Sequence, residues 1–323
     1  MPFTVEDPLQ LLADPAVLSR TAAFTALPPH EAPATSVCLL QGEVGLLTPA
    51  APSPALPPFL GSSDATTCCL VFVRSSTGTH QAAGHLDFAE ALPCFYAMLE
   101  AAGFFACSGL EVALVGSYAG GEDCEALVSA VLRTLHSAPC PLTLTLAAVL
   151  DRNPLASGTA CASASGGSAE GAPAPTPSCR PAFTAATLNT ATGEVRPAVF
   201  ASEGPQALER ACRCFIRGLP EPLVCAWADG VWAQPQLPAC ASASASASAS
   251  ARGGGGGSAP SSARGLSWGI PARDCARYLA MPDAELLKRT STSPTAEAPG
   301  YAARMRKVLS YILQASTAGA AKA

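Results

Sequence analysis

The chain has 323 residues, of which 49% are apolar and only 13% charged, for a formal net charge of −5. That is enough apolar side chain for a substantial core. It carries no basic patch or Lys/Arg run, which argues against a nucleic-acid ligand, and no apolar stretch nears the roughly 18 residues of a membrane helix.

In chain order, residues 47–58 are Pro/Ala-rich, and the first clear strand is Cys68–Arg74, a β-branched and apolar run bounded by turn formers. Ser75–Gly78 is a short loop, and Thr79–Asp87 returns as its hairpin partner. Phe88–Ala102 has helical spacing in Leu92, Phe95, Met98 and Leu99 and stops at Gly103. Leu110–Val115 reads as a strand. Glu122–His136 is a helix with Cys124, Leu127, Val128, Val131, Leu132 and Leu135 on one stripe and acids in its first turn. Leu142–Leu150 is strand-like. Phe183–Asn189 and Glu194–Phe200 form a second hairpin around Ala191-Thr192-Gly193. Pro205–Arg217 is helical with proline in the first turn, Leu223–Trp227 is a short strand, and Arg273–Lys288 and Pro299–Gln314 are helices. Two tracts, residues 156–178 and 238–264, are too poor in large side chains to order themselves, and read as flexible insertions in a single domain spanning 1–323. Hairpins mixed with helices predict an α+β fold with largely antiparallel sheets and packed helices.

Met1-Pro2 opens without the basic and apolar regions of a secretory signal, and Glu6, Asp7 and Asp14 disfavour a transit peptide. The expected compartment is therefore reducing: the cytoplasm, or also the nucleus. There the 14 cysteines read as thiols rather than as a disulfide framework. No Cys-x-x-Cys or His-x-x-x-His occurs, so no metal is expected. Neither a G-x-G-x-x-G loop nor a Walker motif occurs, so no cofactor is expected either.

The chemistry concentrates on Cys68 and His85. A hairpin turn centred between Ser76 and Thr77 opposes these two residues, and directly opposed residues have Cβ atoms about 4.5–5.5 Å apart on one face. An imidazole beside a thiol can take its proton, giving a nucleophile and a general acid in one unit. Asp87, two residues on and opposite Thr66, is placed to orient the ring. Cys69 faces the other way and belongs to the core. Against this stands the ordinary role of a strand cysteine as a small buried hydrophobe.

The residues that carry this chemistry lie in Leu60-Gly61-Ser62-Ser63-Asp64-Ala65-Thr66-Thr67-Cys68 and His85-x-Asp87. Together with Leu110–Gly116, Ser291-Thr292-Ser293-Pro294-Thr295-Ala296-Glu297-Ala298-Pro299, Met1-Pro2 and Ala191–Phe200, they resemble the protein N-terminal asparagine amidohydrolase family, collinearly over most of the chain. Ser63 stands where that pattern usually has an acid, and Cys69 where it can have histidine. The resemblance implies an α-β-β-α sandwich and hydrolysis of the side-chain amide of an N-terminal asparagine to aspartate, with release of ammonia, in the N-degron pathway. It puts the nucleophile on Cys68 and its partner on His85. The partners it implies are proteins or peptides that begin with Asn, acted on by a monomer. Recognition of a free α-ammonium calls for a carboxylate, and Asp64, Asp87, Glu111 and Glu297 are the candidates. Thr66 and Thr67 are candidates for bonding the substrate backbone, although strand threonine is also a plain β-former. Another Cys–His hydrolase (a glutamine deamidase or a peptidase) and a non-catalytic N-terminus binder remain the alternatives.

Overall fold

A computed structural model of the chain describes residues 8–48, 56–119, 123–156, 180–204, 207–213, 226–228, 231–233, 272–291 and 293–320. A 3-10 turn (Pro8–Ala13) leads into α1 (Pro15–Thr25). The Asp14 carboxylate accepts from the Ala16 and Val17 amides at 2.8 and 3.4 Å, and Pro15 fills the first helical position. Four short strands follow: β1 (His30–Ala32), β2 (Val37–Leu39), β3 (Val44–Leu47) and β4 (Phe59–Ser62). Next come β5 (Cys69–Ser75), β6 (Gln81–Leu86), α2 (Leu92–Ala101), β7 (Leu110–Tyr118), α3 (Cys124–His136) and β8 (Leu142–Leu150). Two-residue strands β9 (Leu155–Ala156) and β10 (Arg180–Pro181) pair with each other, and β11 (Ala186–Asn189) and β12 (Val195–Phe200) form the second hairpin. The remainder is α4 (Ala207–Arg213), β13 (Ala226–Ala228), β14 (Val231–Ala233), α5 (Ala272–Leu279), α6 (Asp283–Thr290) and α7 (Tyr301–Ala320).

The longer strands make two five-stranded sheets, in the orders β1-β12-β11-β4-β2 and β3-β6-β5-β7-β8. Both are mixed: β1–β12, β2–β4 and β7–β8 run parallel, and the other neighbours antiparallel. The alternation of side chains along a strand sorts the core into two layers. Leu70 and Phe72 of β5, with Val115 of β7, meet Leu39, Leu60 and Leu188 of the other sheet. Val71, Val73, Val112 and Leu114 point the opposite way, onto Phe95 and Leu99 of α2 and Val128 and Leu132 of α3. A third core joins Cys275, Leu286, Met305, Leu309 and Ile312 of α5–α7 to Leu40 at the end of β2. The fold is α+β, as the mixture of hairpins and helical stripes predicts.

Two local expectations need correction. The first hairpin pairs Leu70, not Cys68, with His85. Gly78 takes the left-handed position at φ +74 and donates to the Ser75 carbonyl at 2.8 Å, while Ser75 N–H donates to the His80 carbonyl at 2.8 Å. The turn is therefore centred one residue later than expected, and the register moves by two. An even shift preserves the face, so Cys68, just before β5, still lies on the inter-sheet side with His85. The second correction concerns Arg273–Lys288, which is two helices. Pro282 has no N–H to donate and would clash with the preceding turn, so α5 ends before it and α6 begins after it. Arg306 of α7 donates to the Leu279 and Met281 carbonyls left over at the break.

The tracts expected as insertions, 156–178 and 238–264, lie outside the described residues apart from Ala156, as do Leu223, Met1-Pro2 and residues 214–217 of the expected helix. No helix among the described residues is long and apolar enough to cross a membrane.

Candidate active site

A cleft of about 390 Å³ opens between the loop leading into β5, the Leu40–Glu43 turn, the segment after β12 and the start of α7. Its walls include Cys68, His85, Asp64, Thr66, Thr67 and Glu297 from the sequence-based candidates. They also include Gln41, Glu203, Ser291, Tyr301 and Arg304, to which the sequence reading gave no role.

The loop carrying Cys68 is fixed through its carbonyls. Cys68 C=O accepts from Ser117 N–H at 2.8 Å, and Thr67 C=O accepts from Ser117 Oγ at 3.1 Å and Cys124 Sγ at 3.6 Å. A Cβ on Gly116 would stand 2.5 Å from the Cys68 carbonyl oxygen, so the family-like run Leu110–Gly116 ends in glycine where β7 passes closest to the thiol loop. Asp64 turns that loop with φ +60, and Thr66 N–H donates back to its carbonyl at 3.1 Å.

His85 is 2% exposed. Its backbone is gripped from behind: Gly42 N–H donates to His85 C=O at 2.8 Å, and His85 N–H donates to Glu43 C=O at 3.0 Å. Its ring reaches across to the other sheet, where Nδ1 lies 2.7 Å from Ser62 Oγ. Ser62 Oγ is also 2.6 Å from the Leu39 carbonyl oxygen, which can only accept. The single hydroxyl proton is thus committed to Leu39, and Nδ1 must be the protonated nitrogen. Nε2 keeps its lone pair, is buried and has no hydrogen-bond partner. Burial, with a smaller contribution from the Arg304 guanidinium, pushes the imidazole down from 6.5 to about 3. The ring is therefore neutral at physiological pH, not the imidazolium of the thiolate–imidazolium pair the sequence reading allowed.

The orienting role expected of Asp87 falls to Ser62. Asp87 lies past the end of β6, does not line the cleft, and accepts from Gln41 Nε2 at 3.1 Å. Burial raises its carboxyl above the usual range. Glu111 is also displaced from the site. It pairs with Arg74 at 3.5 Å, five residues along β7 from the Gly116 that opposes Cys69. At a rise near 3.4 Å per residue this is about 17 Å away.

The two separated family-like segments meet in the cleft. Thr66 Oγ1 and Ser293 Oγ form a buried hydrogen bond of 2.9 Å. From the same loop, Ser291 Oγ donates to Glu297 Oε1 at 2.5 Å, and Ser293 Oγ to the same oxygen at 3.4 Å. Burial raises the Glu297 carboxyl above its ordinary value and pushes the Tyr301 phenol up to about 12, its hydroxyl donating to the Thr290 carbonyl at 2.7 Å. Arg304 spans the rim, with Nη1 at 3.0 Å from Asp64 and Nη2 at 2.8 Å from Glu203.

Ser62 had a signal in the sequence that went unused. It lies two residues after Leu60, hence on the face that Leu60 buries, and a hydroxyl at an inward position needs a partner. Arg304 and Glu203 had none, because their partners are distant in the chain.

Fold and cleft together have the form of an α+β hydrolase, with a thiol and a neutral imidazole on one wall. The chain belongs to the protein N-terminal asparagine amidohydrolase family, whose model matches residues 28–225 and 266–321, and it is accordingly an enzyme that hydrolyses amides. The unmatched stretch between them contains the Ala-Ser repeat and the glycine run. No curated protein matches the chain.

Proposed function

We propose that Cys68 and His85 carry out the family's reaction through a thioester. The observation that supports this most is the presence in one cleft of the Cys68 thiol and an imidazole whose buried Nε2 has no hydrogen-bond partner. As Cys68 sulfur attacks the side-chain amide carbon of an N-terminal asparagine, its proton passes to Nε2 and the S–C bond forms. The imidazolium then protonates the amide nitrogen, the C–N bond breaks, and ammonia leaves. Water, deprotonated by Nε2, adds to the thioester. The S–C bond breaks, and the sulfur recovers its proton as aspartate is released. Backbone amides of the Thr66–Cys68 segment are the candidate donors to the oxyanion, Thr66 N–H being already engaged by Asp64. The product begins with aspartate, the kind of terminus that arginylation marks in the N-degron pathway, consistent with a cytoplasmic or also nuclear monomer acting on proteins.

The test is mass spectrometry on peptides starting with Asn, starting with Gln, and carrying Asn internally. Conversion of amide to acid at N-terminal Asn alone, abolished by Cys68→Ala, is the expected result. Turnover of the Gln peptide, or cleavage of the backbone, indicates a different Cys–His hydrolase. Equal processing by Cys68→Ala and parent removes Cys68 from the mechanism.

A further inference from the structure

The cleft wall holds three carboxylates, Asp64, Glu203 and Glu297, against one guanidinium, Arg304, with His85 neutral. This imbalance favours a cationic guest. The three acids are not equivalent. Arg304 gives one nitrogen to Asp64 and the other to Glu203, and Arg180 adds a second cation 3.9 Å from Asp64. Among the described residues Glu297 makes no ion pair, the Arg180 guanidinium acting on it only from beyond ion-pair distance. Both of its hydrogen bonds come from the neutral hydroxyls of Ser291 and Ser293, and both fall on Oε1. Oε2 keeps its accepting capacity.

A second observation locates the guest. The orphaned Nε2 of His85, on a side chain 2% exposed, lines the same cleft and marks where the reacting amide sits. In an N-terminal asparagine the α-nitrogen lies three bonds from the amide carbon, a span of at most about 4 Å. The ammonium must therefore enter the cleft with the amide, whereas an internal asparagine presents an uncharged peptide group there.

We propose that Glu297 Oε2 receives the α-ammonium of the substrate's first residue, and that Asp64 and Glu203, both held by Arg304, do not. The assignment rests on the N-terminal asparagine reading of the cleft. Glu297 then supplies terminus selectivity: without the cation its carboxylate stays half-buried and uncompensated, and with the cation it gains a charge-assisted hydrogen bond. Ser291 and Ser293 act as a preformed support, fixing one carboxylate oxygen so that the other faces the guest.

The experiment compares an Asn-starting peptide with its N-acetylated form on the full chain and on Glu297→Gln, Glu297→Asp, Asp64→Asn and Glu203→Gln. The wild-type enzyme is expected to prefer the free amine. In Glu297→Gln, KM for the free-amine peptide should rise about 10- to 100-fold, the scale of a hydrogen bond to a charged group. Its kcat should change less, and its preference over the acetylated peptide should collapse. Glu297→Asp, which keeps the charge, should retain the preference, as should Asp64→Asn and Glu203→Gln. Retention of the preference by Glu297→Gln, or its loss in Asp64→Asn or Glu203→Gln, overturns the assignment. If the wild-type enzyme releases no ammonia from any Asn-starting peptide, the reading of the reaction fails and the assignment with it. The variants are not needed to see that result, so the two failures are distinguishable.

Discussion

Ser62 has one proton and two neighbours that want something of it. Giving the proton to Leu39 C=O fixes which ring nitrogen of His85 keeps its lone pair. Ser62→Ala removes the acceptor for Nδ1–H, lets the ring choose its tautomer and rotate, and should lower kcat about 100-fold, at the low end of what general base catalysis contributes. KM should hardly move, and Ser62→Thr, which restores the hydroxyl, should recover most of the loss in steady-state assays. The depressed imidazole has its own consequence. The unfolded chain takes up a proton at His85 near 6.5, whereas the folded chain does so only near 3. Between those values the unfolded state binds more protons, so this residue destabilises the fold as pH falls through the window, by on the order of 1 kcal/mol per pH unit. Asp87 and Glu297, whose carboxyls are raised, act in the opposite sense. The clean measurement is therefore the difference between wild type and His85→Asn in urea melts across that range. Wild type should lose stability relative to the variant as acid is added, and activity should show no acid limb near 6.5.

Elements with a long, regular pattern were legible in the sequence. The stripe Leu127, Val128, Val131, Leu132 and Leu135 predicts α3, and those residues are buried under it. The apolar runs in β7 and β8 declare themselves in the same way. What could not be read was short or non-local. β1, β2 and β3 have three or four residues, too few for a period; β1 finds its parallel partner far along the chain, in β12, and β2 finds its own across β3, in β4. The hairpin register depended on which loop residue took the left-handed conformation, and Gly78 decided it. Ser62 and His85 sit in different sheets, so no spacing within one hairpin could pair them. β4 shows what this element-level fit demands. It runs between β11 and β2, and a Cβ on Gly61 would lie 2.2 Å from the Ala186 carbonyl oxygen and 2.8 Å from Thr187 Cα. Gly61→Ala must push β11 away, at a cost of about 1–3 kcal/mol, and it moves Ser62 with it. A lowered thermal midpoint together with reduced kcat is the expected pair of readouts. Activity unchanged in a destabilised variant would mean that Ser62 does not depend on this spacing.

At the scale of the molecule, one buried ion pair connects the helical group to the cleft wall. Arg210 of α4 donates to both Glu43 oxygens at 2.9 and 2.5 Å, and to the Cys38 and Glu203 carbonyls, while Glu43 also accepts from Leu40 N–H at 2.8 Å. Both side chains are nearly inaccessible, at 2% and 6%. They brace the Leu40–Glu43 turn that grips His85 from behind. Arg210→Met strands the Glu43 charge and should cost about 3–5 kcal/mol. Arg210→Met combined with Glu43→Leu should recover much of that, because a buried pair replaced by apolar groups is often close to neutral. Calorimetric melts of the two singles and the double measure the coupling. A double variant no more stable than Arg210→Met would show that the backbone contacts of Arg210, not its charge, hold the turn.

The Thr66–Ser293 hydrogen bond joins positions 227 apart in sequence. A polypeptide emerging from the ribosome can therefore assemble both stacked sheets well before it owns a complete cleft wall. The wall is completed only when Ser293 arrives, so a chain cut short before Ser291 should keep both sheets yet turn over no Asn-starting peptide.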